Sequence, residues 1–379
     1  MDFDLPEELL LLQKTAREFA EAELAPHAAR LDREECFSRE HWRKLAAMGF
    51  LGVLIPESYG GAGLNVLGLT VILEELNRAC ASTGVTVSVH NSLAAGPILK
   101  HGTEAQKAKY LPRLASGEIM GAYAITEPDC GSDAVALKTR ATRQGGGYVL
   151  RGRKAWITNG ASAGVVLVFA TLDPALRSKG ITAFLVESGS RGFSVGKHEK
   201  KLGIRGSETV ELVLDDVEVP AENRLGEERA GFRIAMDTLD GGRIGIAAQA
   251  IGIAQASLDA SIRYARERKQ FGRPLAEFQA IQWKIADMGT EIEAARLLAY
   301  RAAFLRDLGL AHSRQASMAK LFASEAANRA ATEAVQIHGG AGYCMEYPVE
   351  RYFRDAKVTE IYEGTSEIQR IVISRGLLE

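Results

Sequence analysis

At 379 residues the chain is roughly two to three times the usual domain length, and its 46 basic residues nearly cancel its 48 acidic ones. With 25% charged and 46% apolar residues, that balance excludes a polybasic nucleic-acid binder, an acidic disordered tail and a coiled-coil rod. Glycine stands out, 38 of 379 against a usual share of about 7%, so the backbone either loosens in linkers or must approach something closely.

The start, Met1 to Glu8, is acidic, without the basic and apolar stretches of a signal peptide or the arginines of a transit peptide. Asp4, Pro6 and Glu7 together read as a helix start, with Leu9, Leu12, Ala16 and Phe19 as the apolar stripe behind it. A second helix is expected after Ser38, and others near 66–80, 84–100 and 104–116, around a turn-rich stretch from Pro56 to Asn65. From Ile119 the texture turns to strands. Val165 to Phe169 and Ile181 to Val186 are short buried runs, Thr209 to Val219 alternates, and Gly145-Gly146-Gly147 marks a hairpin.

From Gly226 the helical period returns. Phe278, Ile281, Ile285, Met288, Ile292, Ala295 and Ala299 are spaced by threes and fours, as are Ile244, Ala247, Ile251, Ala254 and Leu258, the pattern of helices packed side by side in a bundle. The expected class is therefore α+β: a helical domain at 1–118, a β domain at 119–225 and a helical bundle at 226–379. Cys36, Cys80, Cys130 and Cys344 are scattered with no CxxC pair, and no run approaches the 18 or so apolar residues of a membrane span, so a cytoplasmic location is expected.

Neither G-x-G-x-x-G nor G-x-x-x-x-G-K-[ST] occurs, and no histidine lies in H-E-x-x-H; no metal site is expected. Gly160-Ala161-Ser162-Ala163-Gly164 matches a hydrolase nucleophile elbow, but that motif needs a helix after the serine, and here a β-branched run follows; it reads as a turn between strands. Two other stretches carry more. Tyr123 to Asp133 leaves a strand for a loop of hydroxyls and turn formers, and Lys154 to Gly160 sets Trp156 beside Thr158. Together they offer amides, hydroxyls and a stacking ring, which suits a large flat heteroaromatic cofactor. Near the C-terminus, Ser366 and Gln369 have capping-box spacing, placing a helix start at about Glu367, with Glu363 on the loop ahead.

Those stretches, with Arg266 to Gly272, Gln336 to Tyr343 and Ile361 to Arg370, follow one another as they do in acyl-CoA dehydrogenases, and over its whole length the chain resembles that flavoprotein family. The resemblance implies an α domain, a β-barrel-like domain and a C-terminal four-helix bundle. It makes Glu363 the catalytic base of an FAD-dependent α,β-dehydrogenation of acyl-CoA, with electrons passing to electron-transfer flavoprotein. Tyr123, Ile125, Thr126, Gly131, Ser132, Trp156, Ile157 and Thr158 would meet the flavin end of FAD. Arg268, Gln270, Phe271 and Gln279, with Gln336, Ile337, His338, Gly339 and Gly340, would hold its pyrophosphate and adenosine, partly from a neighbouring subunit of a homotetramer, and Thr365, Ser366 and Glu367 would complete the site. Substrate contacts are expected from Ser132, Asp240, Gly241, Gly242, Arg243, Tyr362 and Gly364, although an Asp–Arg pair three apart is also a common structural ion pair.

Some relatives carry the base on a bundle helix, where this chain has Gly242, and glutaryl-CoA dehydrogenases carry an arginine where it has Gly84. The block Thr238 to Ala247 is most similar to the short-chain, butyryl-CoA members. A branched-chain substrate, an acyl-CoA oxidase and a non-catalytic helical scaffold are the alternatives.

Overall fold

The computed structural model describes residues 4–379; Met1 to Phe3 of the acidic start lie outside them. Pro6, not Asp4, holds the N-cap position of α1 (Glu7–Phe19), which continues through a π turn into α2 (Ala25–Glu34). Ser38 caps α3 (Arg39–Ala47) by accepting from the His41 amide, as its sequence position suggests. Asn65 caps α4 (Val66–Ala79), and the Asp307 carboxylate takes the Val66 and Leu67 amides at 2.7 and 3.0 Å. Next come α5 (Ala81–Ser88), a π stretch at Val89–Ala95, α6 (Gly96–His101) and α7 (Glu104–Ala115), the last opened by a Thr103–Gln106 capping box.

The strands are β1 (Met120–Ala124), β2 (Arg140–Gln144), β3 (Gly147–Thr158), β4 (Ala163–Thr171), β5 (Ile181–Glu187), β6 (Phe193–His198), β7 (Thr209–Val219) and β8 (Arg224–Leu225). They form one sheet in two halves, β1-β4-β5-β8 and β2-β3-β7-β6, joined by the single pairing of Arg140 with Thr171. Gly145 and Gly146, both at positive φ, make the β2–β3 hairpin turn. In β3 the register slips by one residue between Lys154 and Ile157, and Trp156 takes φ 61°: a bulge that turns its ring outward, 59% exposed.

Three long helices follow: α8 (Gly231–Glu267), α9 (Gln279–Asp307) and α10 (Ser313–His338). A short hairpin, β9 (Lys269–Gln270) and β10 (Arg273–Pro274), separates the first two, and α11 (Val349–Lys357) and α12 (Ser366–Leu378) close the chain. The 37-residue α8, about 55 Å long at 1.5 Å per residue, packs on α4 as well as on α10. One apolar core therefore runs through all three regions, from Val85 and Leu93 through Tyr123 and Phe169 to Ile251 and Ala330. No described helix is long and apolar enough to cross a membrane, and all four cysteines are free.

Candidate active site

The structure brings the two β-domain loops together. Lys154, fully buried beside the Trp156 bulge, donates to Glu127 Oε1 at 2.8 Å and to the Ile125 carbonyl at 3.1 Å, and the Ala155 amide donates to the Thr126 carbonyl at 2.9 Å. The Glu127 carboxylate also takes the Lys138 and Thr139 amides. Burial alone would raise its pKa; Lys154 and those amides hold it below the usual carboxylate range. On the surface above this anchor lie Gly131, Ser132 and Trp156, with Thr126 and Thr158 half-buried and Tyr123, Ile125 and Ile157 inside. The Gly160–Gly164 match is a turn between β3 and β4.

Glu363 lies in the loop between α11 and α12, with φ 53° and Gly364 following at 98°. Two consecutive left-handed residues are costly for a glutamate, and three side-chain hydrogen bonds brace them. Gln369 Nε2 donates to the carbonyls of Glu363 (3.3 Å) and Gly364 (2.8 Å), and Lys320 Nζ, from α10, donates to the Gly364 carbonyl at 2.8 Å. The cap of α12 is Thr365, whose hydroxyl accepts from the Ile368 amide; the expected Ser366 cap is out by one residue because Gln369 turns back to the loop. Tyr362 donates its hydroxyl to Gln249 of α8.

The Glu363 carboxyl is buried, and its Oε2 has no hydrogen-bond partner. Burial pushes its pKa up to about 7 against the opposing charges of Lys320 and Arg243. Arg243 is paired with Asp240 at 2.6 Å. Gly242 makes room for the carboxyl: a Cβ there would stand 1.9 Å from Glu363 Oε2 and 2.8 Å from Leu93. Gly241 serves a different neighbour. Successive helical residues point about 100° apart, and its Cβ would meet the Arg306 guanidinium at 2.8 Å.

At the far end of α8 the other predicted residues gather. Tyr264 stacks on His338 with centroids 4.2 Å apart, and Tyr347 packs edge-on to both rings, so the C-terminal end of α8 meets the end of α10. Arg268, Gln270, Gln279, Gln336, Gly339 and Gly340 are exposed, and Phe271 is 93% exposed. Ile337 and His338 face into the bundle instead, His338 with its Nδ1 on the Ala334 carbonyl. Sequence reasoning passed over Lys320, Gln249 and Leu93, and read Gln369 only as a helix cap. The available signal was Lys320 itself, a lone cation within the alanine stripe Ala316, Ala319, Ala323 and Ala327.

The residues present fit a large polar cofactor beside a thioester. Four of the nine buried side-chain atoms without a partner among the described residues cluster here: Glu363 Oε2, Ser366 Oγ, Gln369 Oε1 and Arg243 Nε. Such atoms call for a ligand able to satisfy them, and Trp156 offers an outward-facing ring.

Comparison with known proteins agrees over the whole chain. Family models described as acyl-CoA dehydrogenase N-terminal, middle and C-terminal domains match residues 6–118, 122–217 and 229–378. The short-chain specific acyl-CoA dehydrogenase of Mus musculus is 52% identical over 99% of this chain and 91% of its own length. A solved chain of butyryl-CoA dehydrogenase from Megasphaera elsdenii is 48% identical, with TM-score 0.98 and full coverage of both chains. One from work on the electron transferring flavoprotein of Acidaminococcus fermentans is 50% identical, with TM-score 0.99 and again full coverage of both.

Proposed function

Because the chain belongs to the acyl-CoA dehydrogenase family, an enzyme family of oxidoreductases acting on CH–CH groups, we propose that it converts a short- or medium-chain acyl-CoA to the trans-2-enoyl-CoA with Glu363 as the base. The Glu363 carboxyl carries this reading: buried, unpartnered at Oε2 and raised to about 7. A carboxylate of that strength, about half ionised at neutral pH, is matched to taking the α-proton of a thioester. Its own backbone amide would donate to the thioester carbonyl as enolate charge develops there. FAD, when bound, would supply the acceptor for the β-hydride.

The flavin end of FAD would rest on Tyr123 to Ser132 and Trp156 to Thr158, and its pyrophosphate and adenosine on Arg268 to Phe271, Gln279 and Gln336 to Gly340, with Thr365, Ser366 and Glu367 completing the site. Arg268 suits that role as a planar, permanently charged phosphate partner. Asp240, Arg243, Tyr362 and Gly364, with Ser132, would meet the acyl-CoA, and Gly242 would leave the carboxyl its space. The division into domains at 1–118, 119–225 and 226–379 and a cytoplasmic location belong to the same reading. Preference for short chains is supported by the names of the mouse and Megasphaera relatives, and electron-transfer flavoprotein as acceptor by the Acidaminococcus structure. A homotetramer is supported by the exposure of Phe271 and of Tyr343, 88% exposed, beside the adenosine residues.

In the test, Glu363→Gln should keep FAD yet lose flavin bleaching by butyryl-CoA about a thousandfold or more. Near-normal bleaching would remove Glu363 as the base, and a colourless protein that FAD cannot reconstitute would favour the scaffold. Anaerobic titration with acyl-CoAs of graded length and branching reads the preference directly.

A further inference from the structure

We propose that Lys320 is a positioning residue for Glu363: its ammonium pins the Gly364 carbonyl and so fixes the left-handed turn that aims the carboxyl, while its charge keeps that carboxyl ready to accept a proton. This rests on the reading of Glu363 as the base. Lys320 lies on the inward face of α10, 0% exposed among alanines, where an ammonium is costly unless something nearby compensates it. Its hydrogen bond goes to the Gly364 carbonyl at 2.8 Å, one residue past Glu363. The same carbonyl takes Gln369 Nε2, so two buried donors hold the Gly364–Thr365 peptide, which fixes where the chain leaves the two left-handed residues.

The charges around the carboxyl assign Lys320 a second task. From α8 comes Arg243, already paired with Asp240 at 2.6 Å. From β1 comes the Tyr123 phenol and from the loop itself that of Tyr362, both kept neutral by burial and by the neighbouring Glu363. Glu360 and Glu367 act on Lys320 more weakly than Glu363 does, and among the described residues no carboxylate lies within ion-pair distance of the Lys320 ammonium. The uncommitted buried cation and the carboxyl with a free oxygen thus face a shared site. The cation favours the ionised, proton-accepting form without covering the oxygen that must reach the substrate.

The experiment compares holoenzymes carrying Lys320→Met, Lys320→Gln and Lys320→Arg. Single-turnover flavin bleaching by butyryl-CoA is followed from pH 5.5 to 9.5, and the infrared carboxyl band of Glu363 is read against Glu363→Gln as the blank. Removing the charge should move the midpoint of both profiles up by about one unit. Bleaching then slows about fivefold at pH 7 and recovers at high pH, while Lys320→Arg stays near the wild-type midpoint. A wild-type midpoint in the neutral variants overturns the inference, even if their thermal stability falls, since a merely structural lysine would change stability and leave titration in place. Should Lys320→Met not fold, Lys320→Gln carries the comparison. If Glu363→Gln itself still bleaches, the reading of Glu363 fails, an outcome separate from an unmoved midpoint.

Discussion

Two buried glutamate–lysine arrangements in this molecule are built alike and behave oppositely. In each a loop glutamate faces a fully buried lysine from a neighbouring element, and in each the lysine donates to a carbonyl of the glutamate's own loop: Lys154 to Ile125 and Lys320 to Gly364. In the β domain the lysine also reaches the carboxylate at 2.8 Å, two backbone amides join it, and the Glu127 pKa is held low. In the bundle the lysine stops at the carbonyl, Glu363 Oε2 is left bare, and the pKa rises to about 7. What separates a carboxyl held low from one raised to about 7 here is whether the donors reach the oxygens or only the backbone beside them.

The comparison breaks most sharply through Lys154→Met. It would strand Glu127 as a buried, unpaired charge and should cost about 3–5 kcal/mol, read as a fall in the urea midpoint at pH 7; a loss below about 1 kcal/mol would mean the two arrangements are not different in kind. Glu363→Gln should act in the other direction. A carboxyl raised from 4.5 to about 7 binds its proton more tightly folded than unfolded, so stability falls as pH rises from about 4.5 to 7 and the cost is complete above that. The glutamine variant should therefore be more stable by up to about 3 kcal/mol at pH 8, with the advantage disappearing below about pH 4.5. A less stable variant at pH 8 would show that the site is not under electrostatic strain. Thr365→Ala is the finest probe. It removes the cap that anchors the loop to α12 and should lower the stability of the apoprotein by about 1 kcal/mol, seen in the thermal midpoint.

Much of this was legible from residue patterns. The hairpin at Gly145 to Gly147, the Ser38 cap and the bundle spacing from Ile281 to Ala299 follow from local chemistry, and local chemistry decides them. Two loops suggested a class of cofactor because hydroxyls, turn formers and an aromatic ring are recognisable one residue at a time. Glu363, by contrast, is one acidic residue among 48; only the family resemblance singled it out, and only the fold puts Gly242 beside it. The Trp156 bulge breaks strand alternation by a single residue, which no period reports. Lys320 was hidden because a helix pattern counts a lysine as solvent-facing, whereas this one is fully buried with its ammonium on the Gly364 carbonyl.

The length of α8 also sets a distance. Gly242, against the Glu363 carboxyl, and Arg268, at the exposed end, are 26 residues apart along the rod, about 39 Å, or roughly a dozen extended residues. No single small molecule touches both. If the flavin beside Glu363 and the pyrophosphate on Arg268 belong to one FAD, each copy of the chain completes a neighbour's centre, and protein concentration becomes a variable of catalysis: dilution should cost flavin and turnover together while the secondary structure stays intact.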